Sequence, residues 1–150
     1  MKKKWDIRQA IVKDSIELQE CMELAYASYK DRMEGKQLPP MDVNYSDEIR
    51  SYPSWVVVSG NKVVGGLFMM FENEYAYIVN IAIHPDFQGQ GLGGGLMKFA
   101  ETKAKDKGYS ELRLATHILL IENVSLYLYL GWTEIDRDEV RVYMKKNICG

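Results

Sequence analysis

Cysteine and histidine are scarce in this 150-residue chain: it has two of each, Cys21 and Cys149, His84 and His117. Two cysteines build no disulfide framework. With the histidines far apart and no CxxC or HExxH, no metal site is expected. Cys21 falls on the apolar face of a predicted helix and reads as core; Cys149, next to last, reads as exposed. This usage implies a reducing, cytoplasmic location. A basic excess is also missing: 19 Lys and Arg against 21 Asp and Glu leave a formal net charge of -2. No global field therefore points to nucleic acid. No uninterrupted apolar run approaches membrane-spanning length, so no membrane partner is expected. The start, MKKKWDIRQA, is basic but lacks an apolar stretch, and reads as a solubilising flank and not a secretory signal. The pattern GxxxxGK(S/T) is absent, which removes most of the case for an ATPase. With no internal repeat, low-complexity tract or obvious linker, the length fits one domain over residues 1–150.

The composition is otherwise that of an ordinary globular protein, 47% hydrophobic and 27% charged. Its most informative stretch is IAIHPDFQGQGLGGGLMKFA, residues 81–100. An apolar strand runs into a His84-Pro85 turn, and five glycines then crowd the start of a helix. Amides at a helix start point outward, unpaired, in a field that favours anions. Glycine lets a ligand's phosphates approach the main chain closely. The chain thus advertises a phosphate-binding turn.

Patterning predicts the elements around it. Residues 5–11 alternate and read as a strand. Asp14 followed by Glu17 predicts a capped helix start, with Leu18, Cys21 or Met22, Ala25 and Tyr29 on its apolar face. Gly35, Pro39 and Pro40 break the pattern, and a short helix follows over 46–52. Strands at 55–58 and 63–71 flank a Gly60-Asn61 turn; the second is apolar on both faces and belongs in the middle of a sheet. The strand over 75–83 places Tyr77, Val79, Ile81 and Ile83 on one face. The helix after the glycines buries Leu92, Leu96, Phe99 or Ala100, and Ala104, with Lys98, Glu101 and Lys105 on its wet side. A strand over 111–115, a helix over 122–130 and a hairpin across 136–139 complete the order β-α-(α)-β-β-β-α-β-α-β-β. One strand-helix-strand crossover implies a parallel pair; the flanking hairpins imply antiparallel ones. The fold class is α/β: a mixed, mostly antiparallel twisted sheet with helices on both faces.

Three consecutive glycines in a first helical turn cost roughly 1 kcal/mol each against alanine, a cost that a neutral loop would rarely keep. Gly89, Gly91 and Gly94 match GxGxxG, the dinucleotide fingerprint of an oxidoreductase. The context argues against that reading. HPDFQ separates the strand from the first glycine, too little chain remains for further βα units, and Glu111 begins its strand instead of ending it.

Gln88, Gly91 and Gly93 also fill the pattern Q/R-x-x-G-x-G/A, and here the chain resembles the GNAT superfamily of N-acetyltransferases. The resemblance runs along essentially the whole element order. A second segment, ENVSLYLYLGW at 122–132, is similar to the ENxxLYxxLGY found in many members. The resemblance implies that the loop and helix start, Gln88, Gly89, Gln90, Gly91, Leu92, Gly93 and Gly94, hold the pyrophosphate of acetyl-CoA through backbone amides. Ala82 and Ile83 would pair with the pantetheine arm. Asn123 would contact the cofactor arm, and Tyr127, which shares its helix face at i+4, would protonate the leaving thiolate. Tyr129 lies about two hundred degrees around the helix from Tyr127 and should face elsewhere. Residues 29–45 are similar to the connection that forms part of the acceptor pocket. Asn80 stands where some members carry a carboxylate, and cannot act as a base. His84 reads as a turn residue and His117 as structural or exposed.

The activity so implied is transfer of acetyl from acetyl-CoA to an amine by direct attack. Amides at the Ile83 end of the strand would stabilise the oxyanion, and Tyr127 would act as the acid. A lysine-type amine with pKa about 10.4 is only about one part in a thousand neutral near pH 7. Some proton acceptor is therefore useful, and a water relay ending at Glu72 or another carboxylate would serve. The acceptor could be a small-molecule, peptide or protein amine, and the acyl group other than acetyl. Many relatives dimerise, so a homodimer stays open. So do two other classes, a CoA-binding regulatory module without turnover and the dinucleotide-binding oxidoreductase.

Overall fold

The computed structural model describes residues 5–27 and 44–148. Strand β1 (Asp6–Gln9) is shorter than its alternation predicts. The Ala10 N–H makes one last bond to the Ser54 carbonyl, 2.9 Å, before a 3-10 turn over Val12–Asp14 leads into α1 (Ser15–Ala27). The predicted cap at Asp14 is corrected here. Asp14 is buried in the 3-10 turn, where its carboxylate accepts from the Ile11 N–H at 2.9 Å and from the Arg8 guanidinium at 2.8 and 2.9 Å. Glu17, its expected partner, turns to the sheet and accepts from the Val63 N–H at 3.0 Å. Helix α2 (Tyr45–Ser51) has a side-chain cap: the Asn44 oxygen accepts from the N–H groups of Ser46 and Asp47 at 3.0 and 3.2 Å.

The remaining elements are β2 (Ser54–Ser59), β3 (Lys62–Phe71), β4 (Ala76–Ile83), α3 (Leu92–Asp106), β5 (Glu111–His117), α4 (Ile121–Tyr129), β6 (Thr133–Arg137) and β7 (Arg141–Asn147). All seven strands join one sheet in the order β1-β2-β3-β4-β5-β7-β6. The β4–β5 pair is parallel and every other pair antiparallel. The expected fold class and element order hold, and β3, apolar on both faces, lies between β2 and β4.

Each face of the sheet has its own core. On one, Leu18, Met22 and Tyr45 of α1 and α2 pack against Val56, Val63 and Phe68. Gly66 permits the close approach: a Cβ there would meet the Leu18 side chain at 2.6 Å. On the other face, α3 buries Leu92, Leu96, Met97, Ala100 and Ala104 against Val57, Leu67, Met69, Ile78 and Leu112. Lys98 and Lys105 are exposed as predicted. Glu101 is not on the wet side: it is half-buried and accepts from Lys146 Nζ at 3.1 Å.

One correction matters for the site. Strict alternation along β4 is broken. Phe68 opposes Asn80 while the next residue, Met69, opposes Ile78, so Val79 is an extra, bulged residue. Ile78, Ile81 and Ile83 therefore pack toward α3, whereas Val79 and Ala82 pack toward α1 and α2.

Candidate active site

The bulge at Val79 coincides with the end of the β4–β5 pairing. That ladder consists of Ala76↔Leu112, Tyr77↔Arg113 and Ile78↔Leu114. Beyond it, β4 runs on to Ile83 and β5 to His117 without pairing with each other. The parting strands open a cleft of about 410 Å³, lined by the second half of β4, the end of β5, α4, α1, α2 and the start of β7. The edge of β4 facing β5 there offers main-chain groups to a ligand in extended conformation.

The wall formed by α1 and α2 is polar where it meets the bulge. Tyr26 directs its hydroxyl at Asn80 Oδ1 and the Ile81 carbonyl, both at 3.4 Å, and Asn80 Nδ2 donates to the Tyr45 hydroxyl at 3.3 Å. Burial pushes the Tyr45 phenol well above its usual range, against the opposing hydrogen bond from Asn80. Glu48 lines the same wall. One of its carboxylate oxygens, Oε2, is buried with no hydrogen-bond partner. Burial, and then the charge of Asp47, raises its carboxyl above the ordinary range.

The glycine loop follows β4. His84 is buried, its Nδ1 accepting from the Asp86 N–H at 3.1 Å, so it is the turn residue the sequence implies. Gln88 ties the loop back to the strand, its Nε2 donating to the Ile83 carbonyl at 3.2 Å. Gly89 and Gly91 take φ of 80° and 82°, a left-handed region costly for other residues. Gly91 caps α3, and its carbonyl receives the first helical bond, from the Gly95 N–H at 2.9 Å. The N–H groups of Leu92, Gly93 and Gly94 precede that bond and have no helical partner. A Cβ on Gly94 would meet nothing within 4 Å, and one on Gly93 only Ile83 at 4.0 Å. The helix start is bare main chain with open space before it. These features fit a pyrophosphate. Gly95 is different: a Cβ there would meet the Trp5 ring at 2.6 Å, so packing requires that glycine.

Helix α4 brings Asn123 and Tyr127 to the cleft. Tyr127 packs on the buried Trp132, with ring centroids 5.7 Å apart. Tyr129 points away and is 87% exposed. His117 also lines the cleft, its Nδ1 accepting from the Leu119 N–H at 3.1 Å. The structure brings Asn123 and Tyr127 of α4 to the cleft, while Ala82 and Ile83 at the end of β4 and residues 88–94 beyond it lie outside its lining. It does not bring Glu72 to them: that residue is exposed in the β3–β4 turn, at the opposite end of β4 from Ile83, and lines no part of the cleft. Residues 28–43, most of the expected acceptor connection, lie outside the described residues. Sequence reasoning missed Glu48, Tyr26, Tyr77, Arg141 and Tyr143 as lining residues; Tyr45, the last residue of the expected acceptor connection, does line the cleft. The spacing of Glu48 from Tyr45, three apart on one helix, was the signal available for Glu48.

Parted parallel strands, a bulged β4 and a bare glycine helix start define an acyl-CoA N-acyltransferase architecture. Residues 18–132 match the acetyltransferase (GNAT) family, and the chain belongs to it. Among curated relatives, it is 28% identical over 104 residues to N-acetyltransferase 8B of Rattus norvegicus, covering 61% of this chain and 47% of that one. It is 32% identical over 85 residues to thialysine N-epsilon-acetyltransferase of Mus musculus, covering 53% and 50%. The chain thus spans about half the length of these relatives. Among solved structures, PaiA N-acetyltransferase from Thermoplasma acidophilum, in complex with coenzyme A, superimposes with a TM-score of 0.82 at 19% identity, covering 97% of this chain and 99% of that one.

Proposed function

We propose that the chain transfers acetyl from acetyl-CoA to a primary amine by direct attack. The observation that carries this reading is the pairing of a bare, glycine-built helix start with the unpaired half of β4, inside a family of acetyltransferases. When bound, acetyl-CoA supplies the reactive thioester. Amides of Gln88, Gly89, Gln90, Gly91, Leu92, Gly93 and Gly94 hold the pyrophosphate, and the main chain of Ala82 and Ile83 aligns the arm. Amides at that strand end face developing charge on the carbonyl oxygen. Asn123 orients the arm, and Tyr127 delivers a proton to the departing sulfur. Glu48, not Glu72, is the carboxylate to which the amine's proton passes.

Thialysine in the name of the mouse relative makes amino-acid-like amines the first acceptors to try. Peptide and protein amines come second. The buried free thiol of Cys21 supports the reading of a reducing, cytoplasmic location. Among the described residues, no helix is long and apolar enough to cross a membrane. A homodimer remains the assembly that the family resemblance suggests. The oxidoreductase reading is disfavoured because this sheet has one parallel pair, where a doubly wound sheet needs several.

Thermal shift with acetyl-CoA, CoA and NAD tests the reading. Acetyl-CoA at a hundred times its dissociation constant should stabilise the fold by about 2.7 kcal/mol. CoA thiol release with an amine panel should then separate an enzyme from a binding module. A shift with NAD and none with millimolar acetyl-CoA would sink the transferase reading.

A further inference from the structure

Two opposite charges line the cleft from different elements, α2 and β7. Glu48, on α2, presents a carboxylate whose buried Oε2 lacks a hydrogen-bond partner. Such a group favours a cationic donor, since leaving a buried acceptor unsatisfied is unfavourable. Arg141 opens β7, opposite His117 in the β5–β7 register, and lines the same cleft. It is exposed; its guanidinium makes no hydrogen bond or ion pair among the described residues, and the Asp138 carboxylate acts on it electrostatically.

The neighbours of Arg141 are otherwise engaged. The Asp138 carboxylate accepts from the N–H groups of Val140 and Arg141, both at 2.7 Å, and from the Tyr143 hydroxyl at 3.0 Å. Arg113 and Lys145, on the same sheet face, both pair with Glu111. Glu48 stands on α2 and Arg141 on β7, so the two charges reach the cleft from separate elements. A planar, always-charged fork suits a carboxylate. Among the described residues lining the cleft, a single guanidinium without a hydrogen-bond partner matches a monoanion better than a phosphate dianion. The pair sums to zero charge. A simple diamine would be drawn to one end and repelled by the other.

Building on the acetyl-transfer reading, we infer that the acceptor is a small zwitterion, an amine that also carries a carboxylate. Its ammonium end docks toward Glu48, and its carboxylate is held by Arg141. Arg141 is thus a specificity-determining residue for the acceptor and takes no part in binding acetyl-CoA.

The test has two arms. Acetyl-CoA titration by thermal shift decides the underlying reading by itself. Thiol release is then measured with matched acceptors differing only in a carboxylate or a carboxamide: glycine and glycinamide, L-lysine and L-lysinamide, L-phenylalanine and its amide. A fourth comparison sets β-alanine against 2-aminoethylphosphonate. The acid should exceed the amide by at least about tenfold in kcat/KM, mainly through KM. Arg141→Gln should erase that preference, with acetyl-CoA affinity within about twofold, and Arg141→Lys should restore part of it. Glu48→Gln should lower kcat/KM for acid and amide alike. A protein that binds acetyl-CoA yet takes amides as readily as acids, prefers the phosphonate, or acetylates no member of any pair overturns the zwitterion assignment and leaves the transferase reading standing. Failure to bind acetyl-CoA removes both.

Discussion

Tyr127 carries the sharpest consequence at the scale of a single residue. Its proposed proton is given as the C–S bond breaks, so the hydroxyl matters in the transition state and little in the ground state. Tyr127→Phe keeps the ring that packs on Trp132 and removes only that donor. We expect kcat to fall about a hundredfold or somewhat less, since water partly substitutes in an open cleft, with acetyl-CoA affinity changed by less than about threefold. Steady-state kinetics beside a cofactor titration reads both, with the exposed Tyr129→Phe as control. Full activity in Tyr127→Phe would leave this tyrosine as a packing residue. That Asn123 and Tyr127 share a helix face was legible in the sequence from their i, i+4 spacing; the roles proposed for them come from the family resemblance. Glu48 was not legible as a lining residue. Its i, i+3 spacing from Tyr45 was the one local signal, and that spacing does not reveal burial; the packing of α2 against α1 and the sheet buries one oxygen of Glu48 and leaves Asp47 exposed.

At the scale of elements, the start of α3 sets stability against binding. Gly94 is helical, and the space where its Cβ would stand is open. Gly94→Ala should therefore stabilise the protein by roughly 0.5–1 kcal/mol while weakening acetyl-CoA binding, because the methyl occupies the ligand's approach. Denaturant melts and acetyl-CoA titration of the same variant check the two halves; tighter binding would contradict the phosphate assignment. Gly91→Glu acts differently. It places a side chain at φ 82° and a negative charge at the anion site, and binding should be lost in a protein that still folds. Gly95→Ala should destabilise through Trp5. The cluster of glycines was plain in the sequence. Their division into left-handed turn residues, bare amides and a packing gap was not, because it depends on where Trp5 and the loop come to rest.

For the whole molecule, the Arg8–Asp14 pair joins β1 to the entry of α1. Hydrogen bonds from Arg8 hold the Asp14 carboxyl below the usual carboxylate range, although burial opposes this. Its folded pKa lies below its unfolded one, so its contribution is complete above the unfolded value near 4 and is lost as pH falls through the folded value. Asp14→Asn should cost about 1–3 kcal/mol at pH 7, and the gap from the parent should narrow below about pH 4. Denaturant midpoints from pH 7 to pH 3 measure it; a constant gap would mean that the carboxylate's charge is not what stabilises this corner. By itself the sequence determined the order of elements, the central place of β3, the glycine-built turn before α3 and the shared face of Asn123 and Tyr127. Each rests on local periodicity or on the conformational range of glycine, which act within a few residues. Tertiary structure alone decided that β4 bulges at Val79, that β4 and β5 part there, and that Glu48 and Arg141 both line the opening while Glu72 lies at the far end of the strand. Those placements depend on register between strands and on helices packed from distant parts of the chain, and no local pattern encodes them.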